Sequence, residues 1–205
     1  MDNFEAYRTW LTRDLAARPR RDGVAFSAAC AERLYASTSQ KLKAASGSTD
    51  HLLRDALDAA WQVACTGTGS EDGLQALYEH LVNAIPAEGD ADPEDLLEPL
   101  IEDTLTLIAY AVVSAIGLEP RVWDWVSQVV FDALDHYLTD RDIVFRGDPT
   151  GRKAMLREFW EHPHVQTEVA RQRRDLEELA GMGPSRSVVE ALEDRSKREP
   201  LFPVL

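Results

Sequence analysis

Cysteine is scarce in this chain. Of 205 residues only Cys30 and Cys65 carry a thiol, each within an apolar stretch and away from any metal-binding spacing. Two such residues make no disulfide framework, and both are expected to be buried thiols. A long apolar run is missing as well. The most apolar segment, Leu105 to Ile116, covers roughly half of the 20 or so residues that a bilayer requires and reads as a core helix. The start, Met1-Asp2-Asn3-Phe4-Glu5, has neither the basic residues nor the apolar stretch of a secretory signal, so a cytoplasmic location is expected. No Gly-rich phosphate loop, nucleophile elbow, Cys-x-x-Cys or His-Glu-x-x-His occurs, and serine and threonine sit mostly at turns and caps. Phosphate-loop, triad and zinc-peptidase chemistries therefore have no residues to rest on, and no cofactor is called for.

Alternating runs of β-branched residues are also lacking, while alanine and the aliphatic residues are plentiful. That pattern predicts an all-α fold, a single-domain bundle of about eight or nine helices over residues 1–198, followed by an apolar tail at 199–205. Phe4, Tyr7, Leu11 and Leu15 share one face of a first helix that Arg18-Pro19-Arg20-Arg21 ends. A second helix, about Asp22 to Ala45, has a face of small residues beside Phe26, Cys30 and Arg33/Leu34, which allows close helix approach. A third starts near Asp50 with Leu53, Leu57, Trp61 and Cys65 in line, and a fourth carries Leu74, Leu77, Leu81 and Ile85. Asp92-Pro93-Glu94-Asp95 has the marks of a helix start, and Pro99 predicts a kink or restart. From Leu100 to Ile116 apolar residues fall on every side, which predicts the central helix. Further helices are read from Pro120 to Leu138, from Asp148-Pro149 to Trp160, from Pro163 to Ala180 with a polar character, and from Pro184 to Lys197.

Basic residues are nearly absent from the middle of the chain. The net charge is -14, and between Asp55 and Asp140 eighteen acidic residues stand against one basic residue, Arg121. The two flanks are close to neutral. A field of that sign disfavours nucleic acid, whose binding needs Lys and Arg to displace counterions, and it disfavours anionic membranes equally. It attracts a basic protein partner and speeds the encounter. The candidate partner-binding residues are Glu88, Asp90, Asp92, Glu94, Asp95, Glu98 and Glu102.

Four segments carry a resemblance. They are Phe26-Ser-Ala-Ala-Cys-Ala-Glu-Arg-Leu-Tyr35; Leu53 to Trp61; Ala84-Ile-Pro86 followed by Pro99-Leu-Ile-Glu-Asp-Thr-Leu; and His162-Pro-His-Val-Gln-Thr-Glu-Val running into Leu176-Glu-Glu-Leu-Ala180. In order and spacing the chain resembles the YjaG-like family, bacterial helical proteins whose domain has no known function. The resemblance spans roughly Val24 to Ala180. It implies an all-α fold and a cytoplasmic bacterial setting, and it carries over no catalytic residue.

Acid–base or metal chemistry has one place to look. Glu98, Glu102 and Asp103 share one helix, and Asp132, Asp135 and His136 share the next, at the three- and four-residue spacings that bring side chains to one face. The candidate metal ligands are Asp103, Asp132, Asp135 and His136. They depart from the helical di-metal pattern, because Asp132-x-x-Asp135-His136 is out of step and no second Glu-x-x-His exists. Asp103 stands where the chain turns apolar, so it is expected to be partly buried and paired with Arg33 or Arg54. His162-Pro163-His164 offers two imidazoles without a third ligand. The tail, Glu199-Pro-Leu-Phe-Pro-Val-Leu205, is expected to fold back, since Leu201, Phe202, Val204 and Leu205 are apolar. The sequence thus points to a non-enzymatic acidic interaction module, of the kind an immunity or antitoxin protein presents to a basic toxin. A carboxylate-based metal or small-molecule enzyme and a homodimeric structural bundle are the alternatives.

Overall fold

Nine helices run through the described residues. The computed structural model describes residues 3–85, 97–117, 122–141, 152–182 and 185–205. Helix α1, Phe4–Ala16, opens where the Asn3 side chain accepts the Ala6 N–H at 2.9 Å. Helix α2, Arg20–Ala45, starts after Pro19. Helix α3 begins earlier than the sequence suggested, at Gly47–Thr66, because Ser46 caps it by accepting from Thr49 at 3.3 Å. Ser70 caps α4, Glu71–Ala84, in the same way. Helix α5 is Leu97–Ile116 and α6 is Val122–Arg141. Helices α7, Arg152–Glu161, α8, Pro163–Met182, and α9, Arg186–Arg198, complete the set. The helix starts read at Asp92-Pro93 and Asp148-Pro149 lie outside the described residues. Helix α5 runs unbroken through Pro99, which stands third in it; a missing N–H does least harm near a helix start.

The bundle is all-α, and α5 lies at its centre, packed against α2, α3, α4 and α6. Its stretch Pro99–Ile116 is long and apolar enough to cross a membrane, longer than the Leu105–Ile116 run suggested, yet most of it is buried by these neighbours. Helix α2 shares the centre. Every residue from Asp22 to Tyr35 is buried, not one face alone, and α2 touches α3, α5, α6, α8 and α9. Alanines at 25, 28, 29 and 31 let those partners come close on all sides. At one end Phe4 and Tyr7 meet Phe131 edge to face, and Trp160 packs at a tilt against Tyr7 and Phe131, which fastens α1 to α6 and α7.

The two arginines read as a stop for α1 also close two other helices. Arg20 donates to the Ala115 carbonyl at the end of α5, and Arg21 donates to the Ala64 and Cys65 carbonyls at the end of α3. Cations at these C-termini satisfy orphan carbonyls and oppose the negative dipole end. Both helices then leave through a left-handed glycine, Gly67 at φ 76° and Gly117 at φ 81°.

Gly23 has a different reason to be glycine. It lies on α2 under the indole of Trp123, and a methyl group there would collide with the ring. Helix propensity alone would favour Gly23→Ala by about 1 kcal/mol. The collision outweighs that gain, and the variant should lose about 1–3 kcal/mol in a urea titration. Unchanged or raised stability would show that the ring does not lie on this position.

Candidate functional site

The seam between α5 and α6 holds the ionisable residues that the sequence singled out. Asp103 of α5 and His136 of α6 meet there, with Nδ1 of the imidazole 2.8 Å from Oδ2 of the carboxylate. This corrects the expected partners of Asp103. Arg33 and Arg54 are engaged elsewhere, Arg54 with Glu32 and Asp58, each at 2.7 Å. Asp132 accepts from Gln128 Nε2 at 2.8 Å, one turn along α6. Asp135 is near enough to influence His136 electrostatically. Glu102 points to solvent, Glu98 lies at the start of α5 with its side chain outside the description, and Glu88, Asp90, Asp92, Glu94 and Asp95 lie outside the described residues.

The hydrogen bond that His136 donates to Asp103 holds the His136 pKa above its ordinary value, against a partial loss of solvent. Burial raises Asp103 and Asp135 above the usual carboxylate range, and in Asp103 the histidine works the other way. All three shifts have one sign: the folded seam holds protons more tightly than the unfolded chain. The stabilisation from His136 is full below its unfolded value of about 6.5 and disappears as pH rises through the raised folded value. The two aspartates add a decline that begins above about pH 4. His136→Gln should therefore be most destabilising relative to wild type near pH 5.5 and nearly neutral near about pH 8.5, as read from thermal melts. An equal difference at both pH values would contradict the pairing.

Among the described residues no three His, Cys, Asp or Glu side chains gather to hold a metal. His162 and His164 stack with ring centres 5.4 Å apart, and the His164 backbone N–H donates to His162 Nδ1. Cys30 is buried beside Arg33, and burial raises its thiol pKa far above the reactive range. Cys65, expected to be buried, is only partly so.

Further along the same seam the Tyr110 and Trp125 rings pack in a tilted contact, with centres 5.5 Å apart and planes 40° to one another. Trp125 is 41% exposed, which sets it apart from the buried Trp61 and Trp160. Beyond it Trp123 Nε1 donates to Ser114 Oγ at 3.3 Å.

The largest polar feature lies inside the bundle, and the sequence reading missed it. Arg33 of α2 is 1% exposed and binds Glu168 at 2.8 Å and Asp175 at 2.7 Å, both fully buried on α8. Gln172 donates to Glu168 at 2.9 Å and accepts from the Tyr7 hydroxyl of α1. Arg195 of α9 reaches Asp175 at 2.9 Å. One chain of hydrogen bonds, charge-assisted except at the Tyr7–Gln172 link, thus ties α1, α2, α8 and α9 together. Burial works against the Arg33 charge, but the two carboxylates outweigh it and raise the guanidinium pKa further. Helix α8 read as polar. Its signal was the stripe Val165, Val169, Leu176 and Leu179, in which Glu168, Gln172 and Asp175 occupy inward positions.

The fold has a solved counterpart. This chain is similar to a DUF416 family protein from Shewanella baltica OS155, with a TM-score of 0.72, covering 94% of this chain and 97% of that one at 14% sequence identity. Neither a protein-family model nor a curated protein matches the sequence. At that identity the likeness shows a shared all-helical architecture.

Proposed function

We propose that this protein is a non-catalytic acidic interaction module that binds a basic protein partner through the face formed by α4, α5 and α6. One observation carries the reading. The three helices adjoin, with α5 between the other two, and they contain ten acidic residues, those of α5 confined to Glu98, Glu102 and Asp103, with no lysine and a single arginine, Arg141, at the last position of α6. Three of the four lysines and most arginines belong to α1, α2, α8 and α9, the fourth lysine to α7. A face of one sign steers a partner of the opposite sign and rejects nucleic acid. The acidic segment Glu88 to Glu98 lies next to this face in sequence and extends the same charge. A cytoplasmic setting, a toxin-like basic partner and a distant relation to the YjaG-like family belong to the same proposal; the four matching segments and the helical fold support the last.

The test is capture of partners by the tagged protein at low salt, with elution in steps of rising salt. The charge reversals Glu102→Lys and Asp132→Lys should lower the eluting salt concentration and weaken binding about tenfold or more, as like charges are juxtaposed across the contact. A partner that stays bound to the doubly reversed protein with the same salt dependence would sink the proposal.

A further inference from the structure

Resting on that reading, we infer that the partner presents a basic amphipathic helix, seated along the α5–α6 seam with an anchoring side chain on the Trp125–Tyr110 pair. The seam has two stations. Tyr110 and Trp125 form the apolar one; Asp103, His136 and Asp132 form the charged one. Seven residues of α5 separate Asp103 from Tyr110, about 10 Å at 1.5 Å per residue. Side chains seven apart on a docked helix bridge the same distance, so a leucine or arginine on the aromatic pair places a lysine or arginine beside the acids.

The chemistry of each station fits that occupant. An exposed indole packed against a phenol is rigid and amphipathic, the composition that dominates binding hot spots, and its face attracts a guanidinium. Tyr78 of α4 lies within electrostatic reach of Tyr110, and Val82, one turn further on, is 44% exposed, so the apolar ground continues onto α4. Within α4 and α5 no lysine or arginine stands beside the acids; His136 of α6 offsets Asp103, so Asp132 and the exposed Glu102 are the carboxylates that meet the partner. A second copy of this chain docked face to face would bring acid against acid, and nucleic acid would meet the same repulsion. A basic helix is the occupant whose charge and apolar stripe both match.

Two synthetic peptides of identical composition test this: a leucine–lysine helix with apolar residues at heptad spacing, and its scrambled counterpart. Affinities are measured by calorimetry at low salt with the full-length protein. The amphipathic peptide should bind at least about tenfold more tightly than the scrambled one. Trp125→Ala should abolish that preference while leaving the salt-dependent binding common to both, and Trp125→Phe should keep most of it. Circular dichroism melts check that each variant stays folded, as an exposed position predicts. Equal binding of the two peptides, unaffected by Trp125→Ala, would overturn the inference and leave the acidic-face reading standing. Failure of both peptides to bind at low salt would overturn both.

Discussion

Arg33→Met should lower the free energy of unfolding by about 3–5 kcal/mol, because it leaves two buried carboxylates without their cation. Glu168 and Asp175 have no exposure through which water could replace the guanidinium. Arg195 still reaches Asp175 from a partly exposed position. The greater part of the loss therefore falls on Glu168, whose next cation, Arg171, is 3.9 Å away. Neutralising the acids as well, in Arg33→Met with Glu168→Gln and Asp175→Asn, should restore most of the stability, since the penalty lies in the unpaired charge and not in the loss of the pair itself. Urea denaturation of the single and triple variants decides the matter. A single variant within about 1 kcal/mol of wild type would mean that the carboxylates find another partner or a proton.

Phe202→Ala should cost about 3–5 kcal/mol, as much as truncating a core aromatic within a helix. Phe202 belongs to no helix, yet it is 2% exposed and its ring stacks on Tyr137 of α6 at 4.3 Å with the planes 5° apart. Its backbone is held as firmly. Ser37 Oγ donates to the Phe202 carbonyl at 2.8 Å and accepts from its N–H at 3.1 Å. The Leu201 and Leu205 N–H groups donate to the Arg33 and Ser37 carbonyls of α2, and Arg171 donates to the Pro200 carbonyl. A prolyl segment cannot form its own ladder, so these bonds to helices satisfy it instead. If thermal melts of Phe202→Ala matched wild type, the tail would have to be loosely held in spite of this geometry.

The helical fold was legible because apolar residues recur at helical spacing in α1, α3, α4 and α6, and because α5 is apolar on every side. Inward charge was much harder to read. Glu168, Gln172 and Asp175 are the residues one expects on a wet surface, and only their register with Val165 and Leu176 betrays them. A long-range pairing such as Arg33 with α8 leaves no local mark, so Arg33 and Arg54 were offered to Asp103 while its partner, His136, stood among the candidates. The caps made by Arg20 and Arg21 were hidden for the same reason: each closes a helix far along the chain. The excess of acid in the middle of the chain was visible as a charge count, but the contact between Tyr110 and Trp125 was not. Trp125 and Tyr110 come from separate helices, and neither helix's own periodicity tells how much of the indole the other leaves uncovered.

The pairing of α2 with α8 also has a consequence for the order of synthesis. Arg33 and Glu168 are 135 residues apart, so at 5–20 residues per second the helix waits roughly 7–27 s for its carboxylates to be made. Helices α3, α5 and α6 are made within that interval and belong to the same packing, but the side of α2 that meets α8 has no partner until Glu168 is made. A guanidinium in the middle of α2 must keep its water until Glu168 and Asp175 arrive, and premature burial against the wrong surface strands the charge. Burying Arg33 before Glu168 and Asp175 are made is therefore costly, which disfavours a mistaken contact on that side of the helix.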